Sequence, residues 1–169
     1  MAVKAERPGQ PAPLRTWPGA DAPLAFVRFS ALDARLAVEA AKVAALLVLS
    51  AAHAPARYGA GLVMEHEGGV IPLVDLRSAA RKSEPLPGAP LLVVLVHGHA
   101  FGIAVDSVQG RTSVALGEIR APDEALGRDA PYLLGQVWRE GHELYLIDSD
   151  GLLGPAVRTH LLKTPRSRG

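Results

Sequence analysis

The chain has 169 residues, of which 18 are basic and 17 acidic, and it contains no cysteine. The net charge of +1 gives no electrostatic reason to expect a nucleic acid or a membrane surface as partner. The lack of cysteine excludes disulfides, thiol nucleophiles and thiolate metal sites. The longest apolar runs, residues 44–49 and 91–96, are far shorter than the roughly 20 residues of a membrane helix. We therefore expect a cytoplasmic protein without direct membrane insertion.

The first 23 residues form a proline-rich segment that carries five of the fourteen prolines of the chain. Such a segment forms neither a helix nor a central strand and buries little apolar surface. We predict a disordered tail over residues 1–23, one folded domain over residues 24–162, and a short basic tail over residues 163–169. Deletion of the first tail is expected to leave folding intact.

The folded part begins with alternating apolar and polar residues, which predict strands over residues 24–30 and 35–39 joined by a turn at Asp33-Ala34. Residues 38–49 fit either a helical turn or a strand. Three hairpins follow along the chain. They join residues 62–66 to 70–76 at Gly68-Gly69, residues 91–96 to 100–108 at His97-Gly98-His99, and residues 132–138 to 143–148 at Glu140-Gly141. Adjacent glycines provide the positive φ that tight hairpins require, and Pro72 predicts an edge strand or a bulge.

Helix is expected to be scarce. Residues 79–82 are compatible with one helical turn. Pro155 suits the first position of a short final helix through Leu162, on which Val157, Leu161 and Leu162 give an apolar side. Several short strands with short connections predict a mainly β fold, with closed barrels favoured over an open sheet.

Three stretches of the chain carry the motifs of one known family. The first is Phe26-Val-Arg-Phe29, followed by residues 36–43. The second, Gly68-Gly-Val-Ile-Pro72-Leu-Val-Asp75-Leu-Arg77, is similar to the motif Pro-Val-x-Asp-Leu-Arg, and the third, Gly102-Ile-Ala-Val-Asp106-Ser-Val108, is similar to Gly-Leu-x-Val-Asp-x-Val. In these stretches the chain resembles the CheW family of bacterial chemotaxis coupling proteins, whose opening strands match the first stretch. The pair of motifs, in this order and about 30 residues apart, is the more specific signal.

The resemblance implies a fold and a function. The fold is two interlocked, five-stranded SH3-like barrels with a hydrophobic groove between them and a short C-terminal helix. The function is that of an adaptor in a chemosensory array, with no enzymatic activity and no cofactor. Its partners would be the regulatory domain of a CheA-type histidine kinase and the cytoplasmic tip of a chemoreceptor, which would recruit it to membrane receptor arrays.

The resemblance also implies binding residues. The receptor groove would be lined by Val43, Ala45, Leu46, Glu67, Ile103, Val105 and Val108. The kinase would bind at or beside Gly68, Gly69, Asp75, Leu76 and Arg77.

Two positions depart from the family pattern. Glu67 replaces the arginine that usually precedes the hairpin glycine, and Ala45 replaces a glutamate. In relatives these opposite charges would face each other or the receptor. Because like charges at an interface cost several kcal/mol, we expect weak binding to ordinary receptor tips and a preferred partner with a basic residue opposite Glu67.

The sequence supports a catalytic or metal-binding site less well than a partner-binding surface. His97 and His99 lack a third ligand at close spacing, so a hairpin turn is favoured over a metal site. Asp148-Ser-Asp150-Gly lacks the remaining ligands of a calcium loop, so a turn in which Asp148 or Ser149 caps a helix is favoured. Asp75 and Asp106 are expected to accept backbone or arginine hydrogen bonds at strand ends, rather than to act as an acid–base pair.

Three rival functions stay open from the sequence. A divergent relative would bind one partner only, as a decoy or as a localisation adaptor. A nucleic-acid-binding barrel would need a basic stripe with aromatic side chains for stacking, and only eight aromatic residues are present. A metal-dependent enzyme would need His97, His99 and the distant His53 or His142 as ligands.

Overall fold

The computed structural model describes residues 22–50, 55–58 and 61–152. Most of both predicted tails, His53, and the predicted helix from Pro155 to Leu162 lie outside these residues. The elements in chain order are β1 (Leu24–Ala31), β2 (Ala34–Glu39), a 3-10 turn (Ala40–Lys42), β3 (Val43–Val48), β4 (Ala56–Tyr58), β5 (Gly61–His66), β6 (Gly69–Asp75), β7 (Pro90–Val96), β8 (His99–Ala104), β9 (Ser107–Val114), a 3-10 turn (Leu116–Glu118), α1 (Glu124–Asp129), β10 (Leu133–Arg139), β11 (His142–Ile147) and α2 (Ser149–Leu152).

The strands form two sheets, which confirms the mainly β prediction. Sheet A has the order β10-β11-β2-β1-β9, and sheet B has the order β3-β7-β8-β6-β5-β4. The chain starts sheet A, builds all of sheet B, and then returns to complete sheet A, so the two sheets interlock along the sequence. Sheet B has six strands rather than the expected five, because the segment before β5 contributes the short strand β4.

The buried side chains form three apolar clusters, one within each sheet and one between the two sheets. One lies within sheet A around Phe26 and Val137, and one lies within sheet B around Met64 and Val93. The third, the shared core, joins Phe29 and Val38 of sheet A to sheet-B residues such as Phe101. Since both sheets bury side chains in the shared core, each one covers apolar surface that the other would expose to water.

Strand β7 explains the uninterrupted apolar run from Leu91 to Val96. Its alternate residues Leu92, Val94 and Val96 enter the shared core. Leu91 and Val93 point into the separate core of sheet B. Side chains alternate across a strand, so a strand between two cores must be apolar on both faces.

Two of the hairpin turns lie one residue earlier in the chain than predicted. His66 pairs with Gly69, so the turn consists of Glu67 (φ 50°) and Gly68 (φ 75°), and Gly69 already belongs to β6. Two positive φ values in a two-residue loop define a type I′ turn, whose twist matches that of the strands. The β1–β2 turn is likewise Leu32-Asp33, both with positive φ, rather than Asp33-Ala34.

Replacing Glu67 by asparagine is expected to raise the free energy of unfolding by about 0.5–1 kcal/mol, because asparagine tolerates the left-handed conformation better than glutamate. The measurement is urea unfolding of both proteins. Glu124→Asn is the matched control, since Glu124 is exposed in α1, where asparagine is a poorer helix former. A Glu67→Asn variant no more stable than the parent would contradict this account of the turn.

The strand predicted over residues 100–108 is wrong, because the chain changes sheets within it. β8 ends at Ala104, and β9 begins at Ser107. Between them, the amide of Val105 donates to the Pro90 carbonyl in sheet B, and the amide of Asp106 donates to the Ser30 carbonyl in sheet A. The two residues thus join the sheets through the backbone.

The edge predicted at Pro72 holds only locally, since β6 as a whole lies inside sheet B between β5 and β8. The ladder with β8 begins only at Leu73, so no β8 residue is paired opposite Pro72. Opposite β5, the pairs alternate from the hairpin closure, which places Pro72 and Val63 at a pair that exchanges no hydrogen bonds. The missing amide hydrogen therefore costs no ladder bond.

Residues 38–49, which fit either a helical turn or a strand in sequence, form both: a 3-10 turn at Ala40–Lys42 and the strand β3 at the edge of sheet B. Helix α1 is not among the elements expected from the sequence. Its start is marked by Asp123, whose carboxylate accepts from the amide of Ala125 at 2.9 Å. After β9, hydrogen bonds from the Arg139 guanidinium and the Ala115 amide lower the pKa of Glu118.

Candidate partner-binding surface

The two motifs that carry the family resemblance meet at one joint, formed by Asp75, Arg77, Ser78 and Asp106. Arg77 Nε lies 3.1 Å from Asp75 Oδ1, and its Nη2 lies 3.2 Å from Asp75 Oδ2. The same guanidinium donates to the Glu84 carbonyl. The Arg77 side chain is only 5% exposed, so this ion pair fixes the loop that follows β6 rather than presenting a charge to a partner.

The second half of the joint is Asp106. Both of its carboxylate oxygens accept from the amide of Ser78, at 3.1 and 3.0 Å. Leu76, between the two halves, is buried in the shared core, and its amide donates to the Ala104 carbonyl. These are the strand-end hydrogen bonds predicted for Asp75 and Asp106. The joint therefore holds β6, β8 and the start of β9 in place.

The predicted kinase-binding residues do not form one patch. Gly68 and Gly69 lie at the β5–β6 turn, and Asp75 to Arg77 lie at the other end of β6. Gly69 and Asp75 are six positions apart along the strand, a distance of roughly 20 Å. Only the Gly68 end is exposed, together with Val70, of which 70% is accessible.

Five of the seven predicted groove residues fall into two groups. Ile103 and Val105 are fully buried in the shared core, so their expected place on a binding surface is wrong. Val43 and Val108 are partly buried and pack against that core from opposite sheets, and Leu46 is 54% exposed. These three lie at the rim of the shared core, with Val43 and Leu46 on β3 and Val108 on β9.

Ala45 and Glu67 are not neighbours. Ala45 packs against the separate core of sheet B, on the face of β3 opposite to Leu46. Glu67 lies at a turn three strand positions away, with a side chain 85% exposed. Measured along the sheet, the two residues are about 14 Å apart across the strands and about 20 Å apart along them. Of the two arrangements expected for the opposite charges of relatives, direct contact between the two side chains does not fit this fold, because the positions lie on different parts of the sheet.

One face of β3 is an exposed apolar surface. We call Val43, Leu46 and Val48 the β3 surface. Val43 and Leu46 stand opposite Val94 and Leu92, both members of the shared core, so the β3 surface continues that core outward. Val48 is 68% exposed, and no residue of β3 is charged.

The β3 surface is also a sheet edge. β3 is the last strand of sheet B, and among the described residues no strand pairs with its outer side. Edge strands in natural proteins usually carry charges, prolines or bulges that discourage association. Apart from an irregularity between Val43 and Ala45, β3 carries no charge, proline or bulge. Exposed apolar surface of this kind is typical of an interaction site.

Sequence reasoning missed Val48, although the apolar run from Ala44 to Leu49 was visible. Only the pairing register of β3 with β7 distinguishes the exposed residues of this run from the buried Leu49. It also missed Leu134 and Trp138, which are exposed on β10 at the edge of sheet A. No neighbouring pattern in the sequence distinguished them from core residues.

Ion pairs connect Lys42, just before β3, to Asp148 and Asp150 near the end of the described residues. Lys42 Nζ lies 3.5 Å from Asp148 Oδ1 and 3.7 Å from Asp150 Oδ1, and His97 Nε2 lies 3.5 Å from Asp150 Oδ2. Asp148 also caps α2, because its carboxylate accepts from the amide of Asp150 at 3.0 Å. This confirms the capping interpretation of the Asp-Ser-Asp sequence.

His97 belongs to a type I′ turn with Gly98, as the turn interpretation predicted. In the part of the chain that the structure describes, no three histidine, aspartate or glutamate side chains are grouped so that they could hold a metal ion. The same residues include no helix long and apolar enough to cross a membrane.

A family model described as the CheW-like domain matches residues 25–156. A solved structure of the scaffolding protein TtCheW from Thermoanaerobacter tengcongensis superposes with a TM-score of 0.59 at 19% sequence identity, over 75% of this chain and 89% of that chain. At that identity the superposition supports the fold alone. A search among curated proteins gives no match.

Proposed function

The chain belongs to the CheW-like family of chemotaxis scaffold proteins, and from this premise we propose that it couples chemoreceptors to a CheA-type histidine kinase. It acts in the cytoplasm, at receptor arrays to which it is recruited. The mechanism is positioning: receptor and kinase are held together, and a change in the receptor shifts the kinase between states. No step of this mechanism requires catalysis or a cofactor.

The observation that carries the proposal is the β3 surface. Leu46 and Val48 are exposed side chains on an uncharged edge strand, and they continue the shared core where the two sheets meet. A coiled-coil receptor tip presents apolar side chains at helical spacing, and an apolar groove recognises such a helix by its anchors. Binding would bury the β3 surface and remove its apolar area from water.

The kinase is assigned to the β5–β6 turn, with Gly68 and the exposed Val70 at its tip. A CheW-like regulatory domain of the kinase would pack barrel against barrel there. The Asp75–Arg77 ion pair acts as a positioning element, because it anchors the far end of β6 while its own charges are buried or paired. The charge of Glu67 lies at this turn. The basic residue expected opposite Glu67 would therefore belong to the partner that binds the turn, which in this proposal is the kinase.

The test of this function replaces Leu46 by aspartate. An aspartate buried against an apolar helix loses hydration without gaining a partner, a cost of several kcal/mol. We expect the affinity for a receptor-tip fragment to fall about a hundredfold, measured by isothermal titration calorimetry, while kinase-domain affinity stays within about threefold.

Leu134→Asp is the matched control, since Leu134 is exposed to a similar extent on the edge of sheet A. It is expected to leave both affinities unchanged. Parent-like receptor binding by Leu46→Asp would contradict the assignment of the β3 surface. A parent protein that binds only one of the two partners would instead support the one-partner alternative.

A further inference from the structure

Strand β3 differs in charge from the other end strands of the two sheets. Those strands are β4, β9 and β10, and they contain Arg57, Arg111 and Arg139 respectively. Two copies that paired through any of them would bring two arginines to the same interface, and such charges discourage edge-to-edge association. Because β3 contains no charged residue, its pairing with a second copy of itself meets no such repulsion.

The backbone groups on the outer side of β3 belong to Leu46 and Val48. Just after the strand, the amide of Leu49 donates to the Ala89 carbonyl, so the backbone of Leu49 faces the β7 side. Val48 stands opposite Pro90, which has no amide to donate. Since inward and outward residues alternate along an antiparallel pair, the amides and carbonyls of Leu46 and Val48 point away from β7. No strand in the described part of the chain lies on that side.

The exposed side chains of β3 are apolar on both faces of the sheet. Leu46 and Val48 lie on the face of the shared core, whereas Leu47, which is 37% exposed, lies on the other face, opposite Leu91. A strand placed beside β3 would cover all three side chains, because neighbouring strands share both faces of a sheet. It would also provide partners for the outward backbone groups.

We propose that two copies of this chain pair through β3 in antiparallel orientation, with Leu47 on the two-fold axis. In this register Leu46 of each copy stands opposite Val48 of the other, so residues with outward amides and carbonyls face each other. Both copies use the same surface, as a two-fold interface requires. The exposed part of β3 is much smaller than the roughly 20–30 residues a side of a standard interface, so the dimer is weak and reversible.

The pairing does not rest on the proposed function, but its consequence for receptor binding does. Leu46 and Val48 are also the side chains assigned to the receptor tip, so a paired copy cannot present them. The apparent receptor affinity therefore falls in proportion to the fraction of copies that remain unpaired. Pairing and receptor binding thus compete for one strand.

Disulfide formation between copies tests the register, because the native chain contains no cysteine. Opposite residues at a pair without hydrogen bonds have Cα atoms about 4.5 Å apart, a separation that a disulfide spans. Leu47→Cys is therefore expected to form a disulfide-linked dimer under mild oxidation, identified by non-reducing gel electrophoresis and mass spectrometry of peptides.

Leu46→Cys is the matched control for the register. Leu46 is more exposed than Leu47, but in the proposed dimer it faces Val48 rather than its own copy. We expect its disulfide to form about tenfold more slowly than that of Leu47→Cys. A faster reaction at Leu46, which accessibility alone would produce, would overturn the register, and no linked dimer with either variant would overturn the pairing.

Sedimentation velocity tests the pairing without a covalent link. We expect the sedimentation coefficient of the native chain to rise with protein concentration, from monomer towards dimer. Val48→Pro removes an outward amide but no hydrogen bond to β7, so it is expected to weaken association about tenfold. Its circular-dichroism spectrum and urea midpoint should stay close to those of the parent.

Trp138→Pro is the matched control on the edge of sheet A. The amide of Gln136 donates to the Arg120 carbonyl on the outer side of β10, so the amide of Trp138, two residues later, also points outward. Its loss should leave association unchanged. A native chain that stays monomeric at every concentration, or a Val48→Pro variant that associates like the parent, would refute the pairing.

The competition with the receptor has its own readout. The disulfide-linked Leu47→Cys dimer is expected to bind a receptor-tip fragment about tenfold more weakly than the same variant after reduction. Equal affinities of the oxidised and reduced forms would overturn the competition and leave the pairing in place. A reduced variant and a native chain that both bind no receptor tip would contradict the proposed function and not the pairing.

Discussion

Replacing Arg77 by methionine is expected to lower the free energy of unfolding by about 3–5 kcal/mol. The substitution keeps much of the side-chain length but removes the charge that neutralises Asp75 in a largely enclosed site. It also removes the donors to the Glu84 carbonyl, which lie 3.3 Å from it. The measurement is the urea dependence of the circular-dichroism signal, with the slope compared between variants.

Arg128→Met is the matched control for this prediction. Arg128 also forms an ion pair, with Glu124 at 3.3 Å, but its side chain is 75% exposed. Exposed pairs contribute about 0–1 kcal/mol, so the same chemical change should be nearly neutral there. If the two substitutions cost the same, the joint is not the structural element described above.

Replacing Phe101 by alanine is expected to cost about 3–5 kcal/mol, because the cavity would open in the shared core. Phe101 is fully buried and packs with residues of both sheets. Since each sheet covers the other, we expect the variant to unfold in a single transition at lower urea, with circular dichroism and tryptophan fluorescence in agreement.

Val70→Ala is the control, because Val70 is exposed on β6 and its truncation should change stability by less than about 0.5 kcal/mol. Two separate transitions in Phe101→Ala would show that sheets A and B are independent folding units. A loss below about 1 kcal/mol would show that the shared core contributes little.

The residues of the two motifs that carry the family resemblance are structural, and they are distinct from the candidate binding residues. Asp75, Arg77 and Asp106 belong to the two motifs, and in this chain they build the joint between strands. The β3 surface and the β5–β6 turn lie outside the joint, where a change of side chain costs little stability. Under the proposed function, we therefore expect substitutions at Leu46, Val48 or Glu67 to change partner binding while the fold stays the same.

The sequence by itself determined the strand content, the three later hairpins and the hydrogen-bonding roles of Asp75 and Asp106. Alternation, turn residues and capping side chains are local properties, and they act over a few neighbours in the chain. The groove residues Val43, Leu46 and Val108 come instead from the resemblance to the CheW family, because no local pattern distinguishes them from core residues.

Only the tertiary structure decided which apolar residues face water. Ile103 and Leu46 look alike in sequence, yet one lies under two sheets and the other on an edge strand, because the strand order places β8 inside sheet B and β3 at its margin. The sheet change at Val105-Asp106 and the separation of Ala45 from Glu67 likewise depend on pairings between distant segments. Burial is set by such pairings, which no local pattern of residues encodes.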